Sequence, residues 1–113
     1  MGQVFFIEMN SNAFFVYLQY GNEANPRVHQ QETGAEILQQ CSDLDMIVLG
    51  VGTGGGITGI GRKMKESCPK CTVVGVDPEG SSMAAPAAMN ECDTTFWEVE
   101  GIGHSWIPNV LGI

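Results

Sequence analysis

The sequence predicts an α/β fold built on parallel strands, and three observations carry that reading. Two short runs, Met46–Val51 and Thr72–Asp77, are mostly apolar and β-branched, the composition of strands covered on both faces. Between them Ile57, Ile60 and Met64 recur at helical spacing, with Arg62, Lys63 and Lys65 on the other side. Fifteen of the 113 residues are glycine, and seven of those fall between Gly50 and Gly61, at the joint of strand and helix. Strand, crossover helix, strand is a βαβ unit, whose strands run parallel.

The other elements are read in chain order. Residues 1–19 hold two apolar clusters, Phe5–Ile7 and Phe14–Leu18, which fit two short strands or a strand and a poorly formed helix. Asn25-Pro26 predicts a turn, because proline lacks a donor and biases the residue before it away from the helical region. Thr33-Gly-Ala-Glu36 has the pattern of a capping box, and Ala35, Ile37, Leu38 and Cys41 then follow on a helix ending near Ser42. Gly52–Gly56 is a loop, Cys68-Pro69 stops the crossover helix, and Pro78-Glu-Gly80 is a turn after the second strand. Beyond Ser81 the pattern weakens to a turn or two of helix at 84–89 and a short strand at 96–99.

Composition limits what the chain can be. A 113-residue chain has room for one domain. Five Lys+Arg against thirteen Asp+Glu leave a net charge of −8, which argues against a nucleic-acid surface. Only 16% of residues are charged, so much of the surface is expected to be covered. No apolar run is long enough for a transmembrane helix, and no membrane association is expected. The opening residues make a poor secretory signal, and Phe6 stands where a myristoylation motif needs Ser or Thr. Four cysteines without a signal do not imply a disulfide framework, so a cytoplasmic protein is expected.

The glycine run has a specific physical use. Backbone without side chains can fold tightly around an anion, and the amides of the following helix N-terminus supply donors and positive partial charge. The hydroxyls of Thr53 and Thr58 offer further hydrogen bonds. The bland alternative is a glycine-rich turn that lets helix and strand pack closely. A triphosphate loop is excluded because Gly59 is followed by Ile60 instead of Lys. A dinucleotide fingerprint is not: Gly50–Gly55 and Gly54–Gly59 both match G-x-G-x-x-G, and Asp77 lies 23 residues after Gly54, where a ribose-binding acid is expected. Spacing alone leaves a dinucleotide and a monophosphate cofactor level.

The longer string is more specific. Asn25-Pro-Arg-Val-His29, Gly50-Val-Gly-Thr-Gly-Gly55, Ile57-Thr-Gly-Ile60, Val74-Gly-Val-Asp-Pro-Glu-Gly-Ser81 and Glu98-Val-Glu-Gly-Ile-Gly103 occur in that order. Together they resemble the pyridoxal-phosphate enzymes of the cysteine synthase and cystathionine beta-synthase family, over roughly Tyr20 to Leu111. Glu36-Ile-Leu-Gln-Gln-Cys41, Cys68-Pro-Lys-Cys71 and Asp77–Ser81 resemble its cystathionine beta-synthase branch more than the bacterial cysteine synthases. The resemblance implies the βαβ portion of a fold type II (tryptophan synthase beta-like), three-layer domain. It divides the chain into a divergent segment, 1–19, and a partial pyridoxal-phosphate domain, 20–113.

By the same resemblance Gly52, Thr53, Gly54, Gly55 and Gly56 hold the phosphate of pyridoxal 5'-phosphate, and Gly101, Ile102 and Gly103 form the loop on the substrate side. The family's glycine loop usually ends in Thr where this chain has Gly56. Its cystathionine synthases follow the second loop with an aromatic and an acid, where His104 and Ser105 stand here. The implied reaction is β-replacement: serine loses its α-proton and hydroxyl, and the homocysteine thiolate adds to give cystathionine, a step of transsulfuration and cysteine biosynthesis. The family's Schiff-base lysine motif lies upstream of the matching segment. None of Lys63, Lys65 and Lys70 takes its place, so no catalytic residue is assigned. The chain is expected to be an inactive fragment or shortened paralogue, associating with itself or a full-length homologue. A non-catalytic interaction remnant is the reading from another class.

Other residues have plain readings beside sharper ones. Cys68 and Cys71 have the spacing of a redox dithiol, or simply of a turn. No metal site is expected, since Cys41, Cys92, His29 and His104 show no paired spacing. His29 reads as a capping or surface residue and His104 as a structural or site residue. Trp97 and Trp106 read as core or interface, and the basic residues from Arg62 to Lys70 as a solvated helix face.

Overall fold

A computed structural model describes residues 18–112 in full, together with the backbone of two strands at 5–9 and 12–16. Strands β1 (Phe5–Met9) and β2 (Asn12–Val16) pair antiparallel, with Phe5 opposite Val16 and Met9 opposite Asn12. The first of the two readings of this region, a pair of strands, is the one found.

A helical stretch follows as α1 (Ala24–Val28), a π-helical turn at His29–Thr33, and α2 (Gly34–Gln40). Asn25-Pro26 is therefore not a turn but part of the first helical turn, where a missing amide hydrogen leaves no helical bond unmade. The capping box does not form either. Thr33 is itself right-handed helical at φ −54° and makes no side-chain cap bond; its hydroxyl instead meets His29 Nδ1 at 3.1 Å, one turn back. A capping box needs a chain entering the helix at that point, and here the helix is already under way.

The βαβ unit is present. Strand β3 (Met46–Gly50) pairs in parallel with β4 (Thr72–Val76), Val48 opposite Val74, and α3 (Gly55–Ser67) crosses between them. Ile60, Met64 and Cys68 are buried and pack with Ile37, Leu38, Ile47, Leu49 and Val73, drawn from α2 and from alternate positions of the two strands. Met64 is 0% exposed, and burying a side chain of that size contributes about 1.5–3 kcal/mol. The α1–α3 crossing is close: a Cβ on Gly59 would overlap the Pro26 carbonyl oxygen.

The strands are not covered on both faces. Met46 and Val48 are 55% and 57% exposed, because the described helices lie on the Ile47, Leu49 and Val73 side. The α/β class and parallel pairing hold, and the described residues supply one of the expected helical layers. After β4 the chain forms a 3-10 turn at Ala87–Asn90, overlapping the C-terminal end of the stretch at 84–89 read as a turn or two of helix. Residues 96–99 form no strand; they have no partner strand among the described residues. Among the described residues, exposed Arg62 on α3 pairs with Glu23 at the N-cap of α1, and Lys70 pairs with Asp43 in the connection between α2 and β3; both pairs contribute little. Among the described residues no helix is long and apolar enough to cross a membrane.

Candidate functional site

The loop between β3 and α3 is a cup of backbone donors. Gly54, at φ +87°, caps α3 in a left-handed conformation that favours glycine, and turns the chain into a 13-residue helix. The first intrahelical bond runs from Thr58 N–H to the Gly54 carbonyl at 3.0 Å. The Gly55 amide donates to Thr53 Oγ1 at 3.2 Å, so Gly56 and Ile57 are the remaining first-turn donors. A Cβ placed on Gly56 would meet nothing within 4 Å, so open space lies beside these amides. Backbone amides, a hydroxyl and a helix N-terminus, with no carboxylate among residues 52–57, suit a phosphate.

Three other segments wall the cup. The Gly101–Gly103 loop lies against it: Gly103 N–H donates to the Val51 carbonyl at 2.9 Å, and a Cβ on Gly52 would overlap the Gly101 carbonyl. Leu111 packs over Gly54, where a Cβ would lie 2.7 Å from the leucine Cβ. Asn25, from α1, donates through Nδ2 to the Gln19 carbonyl at 2.7 Å and to Thr53 Oγ1 at 3.0 Å. The structure thus brings Gly52–Gly56 and Gly101–Gly103 together.

Thr58, the other hydroxyl read beside the glycine run, has a partner of its own. It is buried, and Oγ1 accepts the Gly112 amide at 2.8 Å, so it engages the C-terminal segment. His104 follows the second loop and is clamped by buried Ser81, whose hydroxyl donates to the His104 carbonyl and accepts its amide, both at 3.1 Å. Its ring meets Tyr20 edge-on with centroids 5.1 Å apart, and Trp106 at 5.3 Å. Asn25 and Tyr20 are the residues that sequence reasoning missed as parts of this region. Asn25 stands in the sequence as part of an Asn-Pro turn signal and of a family motif, and no local pattern reports a partner 28 residues away.

The remaining candidates lie apart from the cup's hydrogen bonds. All four cysteines are free. Cys68 is buried and donates to the Leu44 carbonyl at 3.5 Å, while burial, then the neighbouring Cys68 and Asp45, push the Cys71 thiol above its ordinary pKa. Lys63 packs its stem against Gly34, Lys65 is exposed, and Lys70 is paired with Asp43. Among the described residues no group of three or more His, Cys, Asp or Glu is placed to hold a metal. A cavity of about 560 Å³ runs along α3 and β4, lined by Ile57, Val73, Met83 and Met89 together with Arg62 and Lys65.

Comparison with known proteins decides between the two cofactor classes that spacing left level. The family model for the pyridoxal-phosphate dependent enzymes matches residues 6–112. The chain belongs to that family. It is similar to the cystathionine beta-synthase of Mus musculus, 56% identical over 94 residues that cover 82% of this chain and 17% of that protein. The Dictyostelium discoideum cystathionine beta-synthase is 53% identical over 94 residues, 82% of this chain and 19% of its own length. A cysteine synthase of Staphylococcus aureus (strain Mu50) is 33% identical over 102 residues, 88% of this chain and 31% of that enzyme. The chain therefore spans less than a fifth of the length of these cystathionine beta-synthases. Pyridoxal phosphate is the family's cofactor, and the dinucleotide reading is set aside.

Proposed function

We propose that this chain carries the phosphate-holding part of a β-replacement lyase like cystathionine beta-synthase, joining serine and homocysteine into cystathionine. The observation that carries the reading is the cup itself: left-handed Gly54 opening a 13-residue helix, with free space beside Gly56. Gly52, Thr53, Gly54, Gly55 and Gly56 would hold the phosphate of pyridoxal phosphate. The bound cofactor supplies an electron sink for the substrate's α-carbon. The chain's own residues grip and orient it: amides at the helix start meet the dianion, and the Gly101–Gly103 loop borders the cup on the substrate side.

The 113-residue chain by itself is proposed not to form cystathionine. Moving the α-proton calls for a base beside the cofactor, and its three lysines are placed on or after α3, two of them packed or paired elsewhere. The bare face of Met46, Val48 and Val76 supports association with another copy or a full-length homologue. The test is titration of the purified chain with pyridoxal phosphate, followed by absorbance and by competition with inorganic phosphate, alongside an assay for cystathionine. Saturable, phosphate-competed binding without turnover is expected. Cofactor binding indifferent to phosphate would overturn the cup as the anchor, and cystathionine formation would overturn the proposed inactivity.

A further inference from the structure

We propose that Asn25 is a positioning residue for the phosphate cup, acting through Thr53: its side-chain amide fixes the Thr53 hydroxyl as a donor to the anion. The inference rests on reading Gly52–Gly56 as a phosphate site.

The partners of Asn25 settle which way its amide points. The Gln19 carbonyl can only accept, so the atom 2.7 Å from it is the nitrogen Nδ2. The same nitrogen sends its other hydrogen to Thr53 Oγ1 at 3.0 Å. The Gly55 amide donates to that oxygen as well, at 3.2 Å. A hydroxyl has two acceptor lone pairs and one hydrogen. Both lone pairs of Thr53 are thus taken, and its single hydrogen is what remains to give. A phosphate dianion only accepts, so this hydroxyl is matched to it before it arrives. Without Asn25, one lone pair of Thr53 would be free to face the phosphate oxygens, and the hydrogen free to turn away. Gly55 makes the arrangement sterically possible, since a Cβ there would overlap the Asn25 amide.

The test uses the full chain, inorganic phosphate as probe and nitrogen–proton correlation spectra. In the unaltered chain the Asn25 side-chain amide signals are expected to move along the same saturation curve as the Gly55 and Gly56 backbone amides. Asn25→Leu, of similar shape without the donor, is expected to weaken phosphate binding roughly tenfold. In a Thr53→Ala background it should weaken binding no further, because the two act as a unit. A merely structural asparagine would give losses that add. The proposal is overturned if Asn25→Leu binds phosphate normally, if its loss persists undiminished beside Thr53→Ala, or if the Asn25 amide signals do not move. Should Asn25→Leu fail to fold, the amide signals of the unaltered chain decide alone. If the unaltered chain binds neither phosphate nor pyridoxal phosphate, the reading of the cup fails and this inference falls with it.

Discussion

The Gly103 amide donates to the Val51 carbonyl at 2.9 Å, so the second glycine loop is bonded to the backbone one residue before the cup begins. Two segments about fifty residues apart in sequence are thereby held as one wall. The close approach requires the absence of a side chain at Gly52, where a Cβ would overlap the Gly101 carbonyl.

Gly52→Ala is therefore expected to destabilise the chain by about 1–3 kcal/mol, since rigid backbone, not a flexible side chain, must give way. Gly56→Ala is the matched control. Its Cβ would meet nothing within 4 Å, and alanine inside a helix is expected to add about 0.5–1 kcal/mol. Urea unfolding of the two variants measures both, and equal effects would contradict the geometry.

Gly56→Thr tests the cup by addition. The open space at this position admits a side chain, and a hydroxyl in the first turn of α3 gives one more donor to a dianion. Phosphate affinity is expected to rise about tenfold, the scale of one hydrogen bond to a charged group. Calorimetric titration with inorganic phosphate reads it; an unchanged affinity would place the anion elsewhere.

The βαβ unit was legible because its signals are local. The β-branched runs at Met46–Gly50 and Thr72–Val76, the helical period of Ile57, Ile60 and Met64, and the glycine joint each report their own element. The failures are long-range. The Thr33-Gly-Ala-Glu36 pattern is a helix start only if the chain is not already helical, and α1 with its π turn makes it so. Continuous apolarity in β3 announces two buried faces, but which face gets covered depends on what packs there. Asn25 and Thr58 gain their roles from Thr53 and Gly112, partners 28 and 54 residues away.

Thr58→Val should separate fold from site. Thr58 is 4% exposed, and its oxygen accepts the Gly112 amide at 2.8 Å. Valine keeps the shape and removes the acceptor, leaving that amide without its partner at a cost of about 1–3 kcal/mol. The loss should appear in the urea midpoint, and phosphate affinity should stay unchanged, since Thr58 contributes to the C-terminal segment. A large loss of phosphate binding in a folded Thr58→Val would return this hydroxyl to the cup.

Cys71 gives a prediction in pH. Desolvation, then a charge on Cys68 and the Asp45 carboxylate, disfavour its thiolate and outweigh the backbone hydrogen bond with Ile47 that favours it, so its pKa lies above the ordinary thiol value. The thiolate is the species that alkylates or attacks a disulfide, so Cys71 should react with iodoacetamide more slowly near pH 8 than exposed Cys41 and Cys92. The folded chain also binds this proton more tightly than the unfolded chain does. The resulting stabilisation is fully present below the unfolded-state pKa, and is lost as pH rises from there through the raised native value. Mass spectrometry of peptides after timed alkylation across pH 7–10 measures the first effect, and urea midpoints over the same range the second. Preferential labelling of Cys71 at neutral pH would instead mark the Cys68–Cys71 pair as a poised redox dithiol.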